Sequence, residues 1–119
     1  MFGLKRKGNN DIKVIDAYEL IDENESNPEF IILDVRTLEE FEFERIGDAV
    51  NEDFNAKDFK SQLNNMDKEK KYLVYCHSGR RSSKAVKEMD KLGFKDVHNL
   101  SGGIMKWVKK GLPLNDVKK

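Results

Sequence analysis

Two stretches constrain this chain more than anything else in it. Phe30-Ile31-Ile32-Leu33, continued by Val35 after Asp34, and Tyr72-Leu73-Val74-Tyr75 are unbroken apolar runs bounded by polar segments. A strand with one wet face alternates apolar and polar residues. A run without alternation belongs to a strand buried on both faces, as in the middle of a parallel sheet. Parallel neighbours need crossover connections, and the segments between and after these runs carry helical spacing. Phe54, Phe59 and Leu63 form one such set, ending near Asn64-Asn65. Ala85, Val86, Met89 and Leu92, closed by Gly93, form a second. Ile104, Met105, Trp107 and Val108, closed by Gly111 with Pro113 beyond it, form a third. Glycine just past a helix end and proline soon after are the usual stop signals. The expected architecture is α/β: a parallel β-sheet flanked by helices on both faces.

The remaining elements are shorter. A first strand is expected around Lys13 to Ile15, then a helix capped by Asp16 with Glu19 completing a capping box. Asp22 to Glu29, with Pro28, reads as a loop. Thr37 and Glu40 form a second capping box ahead of a short helix through Phe41 and Phe43. A short strand is expected within Ile46 to Asn51 after the Gly47-Asp48 turn, and another at Val97 to Leu100. Met89, Met105 and Trp107 are expected in the core, and His98 at the surface near a strand edge.

The 119 residues suffice for one domain. It is expected to span 11–114, with 1–10 as a flexible lead-in and 115–119 as a short tail. Lys plus Arg equals Asp plus Glu at 22 each, which leaves no electrostatic footprint for nucleic acid or an anionic membrane. No apolar run reaches the length of a membrane helix. The single cysteine allows neither an internal disulfide nor a Cys-rich metal site, and no metal is expected. A lone thiol suits a reducing compartment, so the expected location is cytoplasmic.

That cysteine stands where a buried strand ends and a helix is about to begin, in Tyr75-Cys76-His77-Ser78-Gly79-Arg80-Arg81-Ser82-Ser83. Ligand sites of open α/β sheets form at the carboxyl ends of strands. A helix N-terminus there presents unpaired N–H groups and the positive end of the helix dipole, which favour an anion and a thiolate over a thiol. Gly79 lets the loop curl, Arg80 and Arg81 supply permanent positive charge, and Ser82 or Ser83 can cap the helix. The pattern points to a nucleophilic Cys76. An ordinary strand–helix junction holding a buried, inert Cys is the alternative. Asp34 interrupts an apolar strand and must be paired. With Arg36 it is read as a charge network bracing the loop, in preference to direct catalysis. His77, beside the nucleophile in a tight loop, is expected to point outward.

The sequence Cys-x-x-Gly-x-Arg-Ser after a strand resembles the active-site loop of small rhodanese-homology sulfurtransferases. The resemblance extends to Asp34-Val35-Arg36-Thr37 with Glu39-Glu40-Phe41, to Ile46, Ala49, Val50 and Asn51, to Leu92-Gly93-Phe94, and to Val97, Leu100, Gly102-Gly103, Ile104 and Trp107. It covers about residues 12–113. Where that family commonly has Gly-His-Ile-Pro-Gly-Ala, this chain has Glu44-Arg45-Ile46-Gly47-Asp48-Ala49, a departure that bears on the shape of the neighbouring loop.

The resemblance implies a three-layer α/β/α fold and a sulfurtransferase that needs no cofactor. Cys76 would take sulfur from a small anionic donor such as thiosulfate. As a persulfide held by the loop from His77 to Ser82, it would pass that sulfur to cyanide in vitro, or to a thiol or protein cysteine in vivo. A non-catalytic persulfide carrier would keep the same residues. A cysteine phosphatase or arsenate reductase fits less well. Only four residues, His77, Ser78, Gly79 and Arg80, separate Cys76 from Arg81, and loops of that kind place the arginine one position further on.

Overall fold

The computed structural model describes residues 8–115. Ten elements follow one another: β1 (Gly8–Ile12), α1 (Val14–Glu23), β2 (Phe30–Asp34), α2 (Leu38–Phe43), β3 (Val50–Asn51), α3 (Phe59–Asn64), β4 (Lys71–Tyr75), α4 (Arg80–Lys91), β5 (Asp96–Leu100) and α5 (Gly103–Lys109). The strands form one parallel sheet in the order β1-β5-β4-β2-β3. The two apolar runs, β2 and β4, lie side by side in it, with Asp34 opposite Tyr75. All carboxyl ends therefore face the same way, and β4 delivers Cys76 to the middle of that edge.

Side chains of successive strand residues go to opposite faces, so each run feeds two cores. Leu33, Val35, Val74 and Cys76 pack with Phe59 and Leu63 of α3 and Ala85, Val86 and Met89 of α4. Ile32, Leu73 and Tyr75 pack on the other face with Val14 and Ala17 of α1 and Ile104 and Trp107 of α5. This is the three-layer α/β/α arrangement. Among the described residues, no helix is long and apolar enough to cross a membrane.

The expected first strand at Lys13–Ile15 is wrong. Val14 and Ile15 open α1 instead, because Val14 and Ala17 form its buried stripe and tertiary packing overrides the β-preference of branched residues. The capping box at Asp16 and Glu19 is absent: the N-cap is Lys13, and Asp16 lies inside the first turn, favourably placed for the dipole. The true first strand, β1, takes in residues 8–10 of the expected lead-in. Residues 1–7 and 116–119 lie outside the described residues. The strand has few apolar residues and is tied to β5 by its backbone ladder and by side-chain bonds from Asn10 to His98 and from Asn99 to Asp11.

Because β1 covers β5, His98 is not at a sheet edge but 5% exposed, with its Nε2 2.8 Å from Asp96 Oδ1. Met105 departs from expectation the other way. The α5 stripe that faces the sheet is Ile104 and Trp107, and Met105 is 46% exposed. Phe54 precedes α3 but still packs edge-to-face on Phe59.

Burial lowers the pKa of His98 below its ordinary 6.5, against the opposing pull of Asp96. The unfolded chain therefore takes up this proton at a higher pH than the folded one, and stability rises with pH across that interval. The contribution is complete above the ordinary value and is lost as pH falls below it toward the folded-state pKa. Urea unfolding midpoints should be lower at about pH 5.5 than at about pH 7.5, with a smaller difference in His98→Gln. Equal differences in the two proteins would contradict this.

Candidate active site

The loop between β4 and α4 is built by backbone geometry. Gly79 has φ +102 and serves as the N-cap of α4, a conformation that side chains with a Cβ rarely adopt. The turn it makes folds the start of the helix back over Cys76. The Gly79 N–H donates to Cys76 Sγ at 3.1 Å and the Ser82 N–H donates at 3.3 Å. Ser82 Oγ lies 3.4 Å from the sulfur, positioned to accept from the thiol or to donate to the thiolate. Cys76 is 1% exposed. Ser82 is thus not the helix cap expected from the sequence. It sits within the first turn, fully buried, with its backbone and hydroxyl both engaged at the sulfur.

The outer side of the loop is clamped by α5. Ile104 N–H donates to the Cys76 carbonyl and Met105 N–H to the His77 carbonyl, both at 3.0 Å. Two N–H groups that the start of a helix would leave unpaired are satisfied by the loop itself. The close approach depends on Gly103, at φ +64, where a Cβ would overlap the His77 carbonyl and come within 2.7 Å of the Cys76 oxygen. The glycine pair at 102–103 is therefore part of the site's wall.

The arginines divide. Arg81 makes a two-pronged ion pair with Glu40, Nη1 to Oε1 at 3.1 Å and Nη2 to Oε2 at 3.3 Å. Glu40 is fixed by the capping box of α2, where Thr37 N–H donates to its Oε1 at 2.9 Å. Although partial burial opposes it, bonding to Arg81 and to Thr37 pulls the Glu40 pKa down to about 2. The Arg81 pKa is raised, first by its bond to Glu40 and in smaller part by Cys76. Arg80 is exposed and lines a crevice with Ser78, Gly79, Lys84 and Lys87 on the β1–β5 side. His77 is exposed, as expected from its place in the loop.

Asp34 and Arg36 are both buried, and they are paired on the opposite face of the sheet from the sulfur. Arg36 donates through Nε and Nη2 to the Asp34 carboxylate, at 2.7 Å in the shortest contact, and through Nη2 to the Glu44 carbonyl at 2.7 Å. Tyr75 Oη donates to Asp34 Oδ2 at 2.7 Å and accepts from Ile46 N–H at 3.0 Å. Asn51 Nδ2 donates to the Asp34 and Arg36 carbonyls at 3.0 and 2.9 Å. The network binds the end of β2 to the end of β4 and to residues 44–51. In that divergent segment, Arg45 stacks over the Phe41 ring at 4.2 Å and pairs its backbone with Asn115.

Sequence reasoning missed three participants. Glu40 was visible as a cap and as part of the resemblance, Tyr75 as a buried strand residue, and Gly103 as part of the resemblance, none of them as a contact of the loop. The one available signal was for Tyr75: a phenol in an apolar run needs a partner, and Asp34 was the buried acceptor in need of donors. Among the described residues, no cluster of three or more His, Cys, Asp or Glu side chains is placed to hold a metal ion.

Residues 13–110 match the family described as Rhodanese-like domain. YtwF of Bacillus subtilis, which bears the name of a sulfurtransferase, is 35% identical over 88% of this chain and 99% of its own length. GlpE of Coxiella burnetii, named a thiosulfate sulfurtransferase, is 32% identical over 91% of this chain and 94% of its own. A tRNA uridine(34) hydroxylase of Pelagibacter ubique is 33% identical over 88% of this chain, which covers only 34% of that longer protein. The crystal structure of a rhodanese-related protein from Thermoplasma volcanium superposes with a TM-score of 0.76 at 29% identity, covering 89% of this chain and 97% of that one.

The loop wall generates its own test. Gly103→Ala should cost about 3 kcal/mol in urea unfolding, from a left-handed backbone plus an overlap with the loop carbonyls. Gly111→Ala has a similar φ of +74 with nothing within 4 Å of the added Cβ. It should cost only about 1 kcal/mol. Equal losses would show that the contact with residues 76–77 is not tight.

Proposed function

From the premise that this chain belongs to the rhodanese-like family, we propose that it is a sulfurtransferase that carries sulfur on Cys76 as a persulfide. The observation that carries this reading is the pair of backbone N–H groups, from Gly79 and Ser82, directed at the sulfur at 3.1 and 3.3 Å. Neutral dipoles fixed in place favour an anion at that point without reorganising as charge develops. The N–H groups of Arg80 and Arg81, in the same helical turn, have no intrahelical partner and are the remaining donors for an outer sulfur.

The chemistry proceeds as two displacements. The Cys76 thiolate attacks the outer sulfur of thiosulfate. A sulfur–sulfur bond forms to Cys76, the bond to the sulfonate sulfur breaks, and sulfite leaves with the electron pair. The enzyme is left as Cys76–S–S⁻. An acceptor nucleophile, cyanide or a thiolate, then attacks the terminal sulfur and regenerates the thiolate. No proton acceptor is needed once the thiol is ionised, which suits the exposed His77. The single cysteine has no resolving partner in its own chain, so the acceptor is external. The buried sulfur and short loop suit delivery of one atom better than enclosure of a tetrahedral oxyanion.

In this reading Asp34 and Arg36 hold the ends of β2 and β4 in register and touch no substrate. The small charged donor enters from the carboxyl edge of the sheet, and the compartment is the reducing cytoplasm.

The wild type should form thiocyanate from thiosulfate and cyanide with the parallel double-reciprocal lines of a ping-pong mechanism. Cys76→Ser should lose at least about a thousandfold in kcat/KM, since it removes the atom that carries the sulfur. Turnover that survives in Cys76→Ser would defeat the reading. Persulfide formation without turnover would instead describe a carrier.

A further inference from the structure

The charge on Arg81 is not available to the sulfur site as a net charge. Both terminal nitrogens of its guanidinium face the Glu40 carboxylate at 3.1 and 3.3 Å. That carboxylate is held from the other side by the Thr37 N–H and hydroxyl at 2.9 and 3.1 Å. Two fork-to-fork contacts on a carboxylate fixed by a helix cap form a built pair, in contrast to two flexible side chains meeting in water. Glu40 lies in the first turn of α2, Arg81 in the first turn of α4, and the pair spans the flank of the loop on the β2 side. Arg81 precedes Ser82, whose N–H donates to the Cys76 sulfur at 3.3 Å, so its side chain leaves the same turn of helix that holds the sulfur. Arg80 is on the other flank and exposed, where solvent screens it.

Seen from the sulfur, the flank therefore offers a dipole of one positive and one negative group. An anionic donor is attracted by the first and repelled by the second; both contributions scale with the donor's charge, so the Glu40 carboxylate takes more from the attraction of a dianion than from that of a monoanion. Resting on the sulfurtransferase reading, we propose that Glu40 is a specificity-determining residue that, by offsetting Arg81, narrows the advantage the site gives doubly charged donors over singly charged ones. The offset leaves the site open to donors carrying a single charge, the class of thiosulfonates and organic persulfides. Glu40 contacts no reacting atom in this account and acts through Arg81.

The variant that isolates the charge is Glu40→Gln. Glutamine keeps a side-chain oxygen for the Thr37 N–H and is equally accepted at this position of a capping box, so α2 keeps its start. It removes the negative charge and one of the two acceptors facing Arg81. The probes are thiosulfate, a dianion, and methanethiosulfonate, which presents the same outer sulfur with one charge fewer. Cyanide is the acceptor for both.

Glu40→Gln should raise kcat/KM about fivefold for thiosulfate and about twofold for methanethiosulfonate, because the Coulomb contribution scales with donor charge. The gain should appear mainly in KM, shrink at high salt, and vanish in Glu40→Gln/Arg81→Gln. A purely structural Glu40 would move both donors alike and leave their ratio unchanged. That result, or a loss of activity with both donors in a folded variant, would overturn the proposal while leaving the sulfurtransferase reading standing. Absence of turnover and of persulfide in the wild type would be the failure of that reading itself.

Discussion

Two backbone N–H groups aimed at one sulfur atom set the demands on the rest of this structure. Their direction exists only because Gly79, three residues past Cys76, turns the chain with a positive φ and caps the start of α4. Hydrogen bonds to a charged group are stronger than neutral ones, but only if donors stay in place. The surrounding fold supplies that fixity. The first N–H groups of α5 hold the Cys76 and His77 carbonyls, and Gly103 lets the two segments meet. Glu40, locked by its own helix cap, holds Arg81 on the flank. Three helix N-termini, those of α2, α4 and α5, thus converge on a loop of a few residues.

The buried ion pair plays a different part, on the other face of the sheet. Asp34 and Arg36 are removed from water at a desolvation cost that their mutual attraction barely offsets, so net stability is a poor reason for them. Their geometry offers a better one. Asp34 accepts from Arg36 and Tyr75, and Arg36 reaches the Glu44 carbonyl. Breaking any one contact strands a buried polar group, which makes the arrangement all-or-none. The ends of β2 and β4 and the segment at residues 44–51 are thereby fixed together directly behind the strand that carries Cys76. Tyr75, which bonds to Asp34, and Cys76 are successive residues facing opposite sides of the sheet, so the sulfur and the ion pair never meet.

Much of this was legible in the chain. The runs at residues 30–35 and 72–75 announced buried parallel strands because apolar continuity has few other uses at that length. The cap at Thr37 and Glu40, a helix carried by Ala85, Val86, Met89 and Leu92, and the position of Cys76 at a strand exit followed from local chemistry alone. Beyond the misplaced caps of α1 and α4, what failed was nonlocal. β1 consists of Gly-Asn-Asn-Asp-Ile, a composition that favours no strand by itself, and it forms because β5 offers an open ladder beside it. Missing it made β5 look like an edge, and a buried His98 look like a surface residue. The role of Glu40 was hidden for the same reason. Its partner Arg81 lies 41 residues away, and no local pattern joins them.

The most direct test of the account is to follow the sulfur itself. Purified protein would be incubated with thiosulfate radiolabelled in its outer sulfur, freed of excess donor, and digested to locate the label. The account predicts close to one labelled sulfur per chain, on the Cys76 peptide, released completely as labelled thiocyanate when cyanide is added. Label that is absent from Cys76, or present there but not transferable to a nucleophile, would contradict it.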